Sequence, residues 1–121
     1  MLLAIDIGNT NITVGLFNGD ILSATWRIST DSSKTSDEYG LQLTQMLEGR
    51  KSDVRGISHV AICSVVPPLT PTFESLCQRY FQANPLIVGS GTKTGVKVLY
   101  DSPRDVGTDR IVDAAAALNI Y

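Results

Sequence analysis

The sequence predicts an α/β domain built on a mixed five-stranded sheet, three antiparallel strands followed by parallel ones, with helices on both faces. Three observations predict it. Three strand-like stretches open the chain with only short connections between them, as antiparallel neighbours allow. The later strand-like stretches alternate with helical patterns, the order that builds parallel crossovers. A chain of 121 residues, 43 % hydrophobic and 18 % charged, is enough for one domain with a real core.

Residues 2–7 and 12–17 alternate or run apolar, and Asn18-Gly19 is a strong hairpin signal that should join the second of them to residues 21–29. In "ILSATWRIS", Ile21, Ser23, Thr25 and Arg27 alternate with Leu22, Ala24, Trp26 and Ile28, the pattern of a half-buried strand. The polar stretch "STDSSKTSDE" reads as a loop, and Thr35 with Glu38 three positions on has the spacing of a capping box. A helix should start there, burying Tyr39, Leu43, Met46 and Leu47, although Gly40 is a poor helix former. "GRKSDVRG" follows as an exposed loop.

"ISHVAICSVVPP" is β-branched and ends in Pro67 and Pro68, so residues 57–66 read as a buried strand. Pro71 is placed to open a helix carrying Phe73, Leu76, Cys77, Tyr80 and Phe81 on its apolar face. "PLIVG" and "VKVLY" are short strands, and the closing "DRIVDAAAALNIY" is helix-forming and apolar on most sides. Three strands, helix, strand, helix, strand, helix, with a small extra strand near the end, is the order of the ribonuclease-H-like fold. No repeat, low-complexity segment or linker divides residues 1–121, which read as a single lobe. A last helix so apolar requires cover. It predicts that the chain is the first lobe of a larger protein, or a partner for one.

A formal net charge of -2 gives no reason to expect a nucleic-acid backbone as partner, and favours small-molecule chemistry. Cys63 and Cys77 are too few and too embedded in apolar sequence for a disulfide framework or zinc cage, and read as reduced core thiols. The start "MLLAIDIG" lacks the basic region of a signal peptide, and no apolar run approaches the roughly 18 residues of a membrane span, so a cytoplasmic location and no membrane partner are expected. His59, the only histidine, has no cysteine or carboxylate at ligand spacing. Arg50, Lys51, Arg55, Lys93 and Lys97 read as solvated surface.

Two clusters carry chemistry. In "DIGNTN", Asp6 ends an apolar strand, and the backbone N–H groups of Gly8, Asn9, Thr10 and Asn11 can line one concavity suited to phosphate oxygens. A bare carboxylate repels phosphates unless Mg²⁺ or its water shell stands between them, so Asp6 beside such a turn implies a metal nucleotide. The plainer alternative is that Asp6 and Asn9 only stabilise a tight turn. The second cluster is "YDSPRDVGTDRIVD", residues 100–113, at a strand end where open sheets bind ligands. Gly107 permits close backbone approach, Asp109 is placed to accept a hydroxyl proton and Arg110 to hold an anion. Here the alternative is a helix start, with Ser102, Pro103 and Asp105 as cap and Asp109 favouring the positive helix end.

Together, "DIGNTN" at residues 6–11, "CSVVP" at 63–67 and "YDSPRDVGTDR" at 100–110 resemble the type III pantothenate kinases, and the resemblance runs from Met1 to Tyr121. That family belongs to the acetate kinase, sugar kinase, Hsp70 and actin superfamily, two ribonuclease-H-like lobes with ATP clamped between them. The resemblance implies that Asp6, Ile7, Gly8, Asn9, Thr10, Asn11, Ile12 and Thr13 form the first phosphate loop. It gives Asp6 the Mg²⁺-bound phosphates, through water. Tyr100, Gly107, Thr108, Asp109 and Arg110 would contact pantothenate, with Asp109 as the base that takes the proton of the primary hydroxyl as it attacks the γ-phosphate. The implied reaction is ATP-dependent phosphorylation of pantothenate to 4'-phosphopantothenate, the first step of coenzyme A biosynthesis. The implied cofactors are Mg-ATP and a monovalent cation, potassium or ammonium, whose ligands lie in a second lobe. The resemblance further implies a homodimer, and a 121-residue lobe inactive by itself.

Two other readings belong to the same fold. A metal-dependent nuclease or resolvase would use Asp6 with Asp109 or Asp113 to hold two metals, against which stands the net negative charge. An accessory transcriptional regulator would use neither carboxylate chemically.

Overall fold

The computed structural model describes residues 1–19, 21–49 and 56–88. Five strands and two helices follow in the order β1 (Leu2–Ile7), β2 (Asn11–Asn18), β3 (Ile21–Ser29), α1 (Ser36–Gly49), β4 (His59–Ser64), α2 (Leu69–Tyr80) and β5 (Leu86–Val88). They form one sheet in the order β3-β2-β1-β4-β5. β1 pairs antiparallel with β2 and parallel with β4, β2 pairs antiparallel with β3, and β4 pairs parallel with β5. The expected mixed five-stranded sheet is therefore present. The predicted strand "VKVLY" and the closing helix lie outside the described residues.

β1 sits third of five, and every one of its residues is buried. Side chains alternate across a sheet. Leu3, Ile5 and Ile7 join Ile12, Val14, Leu16, Val60 and Ile62 in one core with Tyr39, Leu43 and Leu47 of α1 and Phe73, Leu76 and Cys77 of α2. Leu2 and Ala4 turn to the opposite face with Phe17, Ala61 and Val88. Both described helices thus cover one face. The closing helix, and with it any cover for the second face, lies outside the described residues.

Local chemistry sets most of the boundaries. Gly19 takes a left-handed φ of 63° and Asn18 pairs with Ile21, closing the β2–β3 hairpin at the glycine. The capping box is reciprocal: the Thr35 N–H donates to Glu38 Oε1 at 3.0 Å, and the Glu38 N–H to Thr35 Oγ1 at 3.2 Å. The strand predicted over 57–66 spans only His59–Ser64, because the Val66 N–H turns to the Ser64 hydroxyl at 3.1 Å. Pro71 does not open α2. The helix starts two residues earlier, with Leu69 N–H bonded to Val66 O at 2.9 Å, and Pro71 falls in its first turn, where a missing N–H is harmless.

The helices are joined at Gly40. A Cβ there would stand 2.5 Å from Cε1 of Tyr80, whose hydroxyl donates to Asp37 Oδ1 at 2.9 Å. The residue that weakens the helix pattern is the one that lets the helices meet. Gly40→Ala must displace the Tyr80 ring, an overpacking cost of about 1–3 kcal/mol that outweighs alanine's helix advantage of about 1 kcal/mol. The urea midpoint of Gly40→Ala should fall accordingly. In a Tyr80→Ala background the same change should stabilise.

Cys77 is buried beneath α2, and that burial pushes its thiol up to about 12. Cys63 is half-buried on the other face of the sheet. Neither forms a disulfide. Among the described residues no helix is long and apolar enough to cross a membrane, and no three His, Cys, Asp or Glu side chains gather as a metal cluster.

Candidate functional site

Asp6 occupies the carboxyl end of β1, paired with Thr13 of β2 on one side and Cys63 of β4 on the other. Thr13 pairs in turn with Arg27 of β3. Residues in register across a sheet share a face, so Arg27, Thr13, Asp6 and Cys63 form one row on the face away from α1 and α2. Asp6 is only 4 % exposed and Thr13 5 %. Placing a carboxylate there is costly unless hydrogen bonds or a cation hold it.

The β1–β2 turn follows within two residues. The Gly8 N–H donates to Asn11 O at 3.0 Å, and a Cβ on Gly8 would stand 2.9 Å from that same carbonyl. A side chain at position 8 would therefore spread the turn. The Gly8 N–H is consumed inside the turn and cannot line a phosphate cradle. Asn9, Thr10 and Asn11 are exposed, and the N–H groups of Asn9 and Thr10 bond to no other described residue. Ile7 and Ile12 are paired across the turn and fully buried in the helix-side core. Of the eight residues Asp6 to Thr13, these two can offer a ligand only backbone.

Thr30, just beyond β3, is a part of the site that the sequence reading missed. Its hydroxyl donates to Gly8 O at 2.7 Å and its N–H to Thr10 O at 2.9 Å. The "CSVVP" motif also arrives here: Ser64 pairs with Ile7, and the Val65 N–H donates to Ile7 O at 3.0 Å. Two of the three motifs thus meet at the carboxyl ends of the parallel pair β1 and β4, the position where open α/β sheets bind ligands. Tyr100, Gly107, Thr108, Asp109 and Arg110, along with Asp113, lie outside the described residues. His59 is exposed, with Nδ1 3.0 Å from Ser58 Oγ.

The fold has solved counterparts. The chain overlays RuvC from Thermus thermophilus, in complex with Holliday junction substrate, with a TM-score of 0.63 at 12 % identity, covering 99 % of this chain and 92 % of that one. A putative N-acetylglucosamine kinase from Porphyromonas gingivalis overlays with a TM-score of 0.55 at 15 % identity, over 74 % of this chain and 34 % of that one. At such identities the likeness establishes the ribonuclease-H-like architecture alone.

Sequence relatives are far nearer. Type III pantothenate kinase from Anaeromyxobacter sp. strain K is 50 % identical over 117 residues, 97 % of this chain and 46 % of the relative. Type III pantothenate kinase 2 from Symbiobacterium thermophilum is 49 % identical over 121 residues, all of this chain and 46 % of the relative. The chain thus spans about half the length of the curated relatives it matches. The family model of type III pantothenate kinase matches residues 2–121, taking in the Asp6 turn, the "CSVVP" segment and the third motif together, and the chain belongs to that family.

Proposed function

We propose that this chain is the N-terminal lobe of a two-lobed kinase that transfers the γ-phosphoryl of ATP to pantothenate, giving 4'-phosphopantothenate for coenzyme A biosynthesis. The observation that carries the reading is a carboxylate only 4 % exposed, one residue before a tight turn whose next two N–H groups face no described partner. Relatives named type III pantothenate kinase, about half identical over nearly the whole chain, supply the substrate class.

The donor set fits Mg²⁺, a hard cation that commonly takes one or two carboxylates and fills its shell with water and phosphate oxygens. Asp6 offers the carboxylate, with the Thr13 hydroxyl next to it in register. When bound, the ion neutralises charge on the transferring phosphoryl group. The turn at Asn9 and Thr10 binds phosphate oxygens through backbone N–H groups. In this reading Tyr100, Gly107, Thr108 and Arg110 hold pantothenate, and Asp109 accepts the proton of its primary hydroxyl. The second lobe brings the adenine side of the cleft and the ligands of a potassium or ammonium ion. The whole protein acts as a cytoplasmic homodimer.

The test is a coupled ADP-release assay with pantothenate and Mg-ATP on this chain and on the longer protein, with and without potassium or ammonium. Pantothenate-dependent turnover by the longer protein alone is the expected result. ADP release that ignores pantothenate, or none from either protein, would overturn the reading.

A further inference from the structure

A backbone turn can hold phosphate only if it presents N–H groups and keeps its carbonyl oxygens out of the way, since carbonyl and phosphate oxygens repel. In the β1–β2 turn, one residue occupies two of those carbonyls. The Thr30 hydroxyl donates to Gly8 O at 2.7 Å, 22 positions away, and the Thr30 N–H donates to Thr10 O at 2.9 Å. Of the four carbonyls from Gly8 to Asn11 a third, Asn11 O, is taken by the Gly8 N–H at 3.0 Å.

Thr30 is itself held from behind. The next residue, Asp31, donates its N–H to the Tyr39 hydroxyl at 2.8 Å and accepts that hydroxyl's proton on its own carbonyl at 2.8 Å. The Tyr39 ring is fully buried in α1, with its centroid 4.8 Å from that of Phe73 in α2. The turn is therefore tied through Thr30 and Asp31 to the helical core, not merely to its own strands.

We propose that Thr30 is a positioning residue for nucleotide phosphate: holding the Gly8 carbonyl turns the Asn9 N–H of the same peptide the opposite way, toward the ligand, and holding the Thr10 carbonyl keeps that oxygen out of the site. The proposal rests on the reading that this turn binds the phosphates of ATP. Thr30 touches no reacting atom. Its influence passes through the turn, so it belongs to the affinity for nucleotide and not to that for pantothenate.

Thr30→Val removes the hydroxyl but keeps the branched shape and the backbone N–H, and Thr30→Ser keeps the hydroxyl. Mg-ATP affinity is measured by titration calorimetry on the longer protein, alongside pantothenate KM, kcat and the unfolding midpoint. Thr30→Val should weaken Mg-ATP binding roughly ten-fold and leave the pantothenate KM within about two-fold, with Thr30→Ser close to wild type. Wild-type affinity in Thr30→Val would overturn the proposal. So would equal losses for both substrates that follow a lowered unfolding midpoint, the mark of a merely structural brace. A wild-type protein that binds Mg-ATP without phosphorylating pantothenate would remove the kinase assignment, and the two variants would still decide the role of Thr30. No Mg-ATP binding at all would overturn both.

Discussion

Exchanging Asp6 for asparagine in the longer protein should lower kcat/KM for Mg-ATP by about 10²–10³, the scale of losing one preorganised electrostatic group from a transition state. Asparagine has nearly the same shape, so the packing of Ala4 and Ala61 around the same face should survive. The expected change in unfolding free energy is under about 1 kcal/mol. Steady-state kinetics at varied Mg²⁺, paired with urea unfolding, separates the two quantities. Comparable damage to both would mean that Asp6 serves the turn and not the chemistry. Asp6→Ala is a poorer probe, because it opens a void beside Thr13 and Cys63.

Asp109→Asn should remove about 10²–10⁴ of kcat, the usual contribution of a positioned general base, with pantothenate binding and folding retained. The amide cannot accept the hydroxyl proton, yet it preserves a hydrogen-bond acceptor for the substrate. One control sharpens the result: Mg-ATP affinity should not move, since the turn proposed to hold the phosphates is built by β1, β2 and Thr30. Near-normal turnover by the variant would take Asp109 out of the mechanism and return residues 100–113 to the role of a helix start.

What the sequence disclosed was governed by range. The β2–β3 hairpin and the Thr35–Glu38 box are settled within four residues, so the local pattern carries them whole. The alternation of β3 from Ile21 to Ser29 survives as a regular exchange of exposed and half-buried positions. Boundaries shifted where a nearby side chain or carbonyl captured a backbone group that the hydrophobic pattern does not register. The Ser64 hydroxyl ends β4 before the valines run out, and Val66 O starts α2 ahead of Pro71. Gly40 reads as a weakness until the Tyr80 ring is set against it.

The site divides in the same way. "DIGNTN" announces a turn and a carboxylate because both lie in six consecutive residues. That the Gly8 N–H is spent within the turn, and that Ile7 and Ile12 belong to the core, follows only from the strand register. Thr30 had no local signal: a threonine after a strand is unremarkable until two turn carbonyls are found on it. Arg27 likewise read as one polar position of an alternating strand, and register alone sets it in the row of Asp6.

The central place of β1 has a consequence for motion. A strand bonded on both edges and buried on both faces opens only when the whole domain opens, so its amides belong to the slowest-exchanging class of the protein. Asn9 and Thr10, three and four residues after Asp6, lie on the surface with no such protection. The carboxylate is thus mounted on the most protected segment of the backbone, while the neighbouring amides of Asn9 and Thr10 stand at the surface on a turn already tied to the helical core through Thr30 and Asp31. A ligand arriving there would find little of the protein left to reorganise.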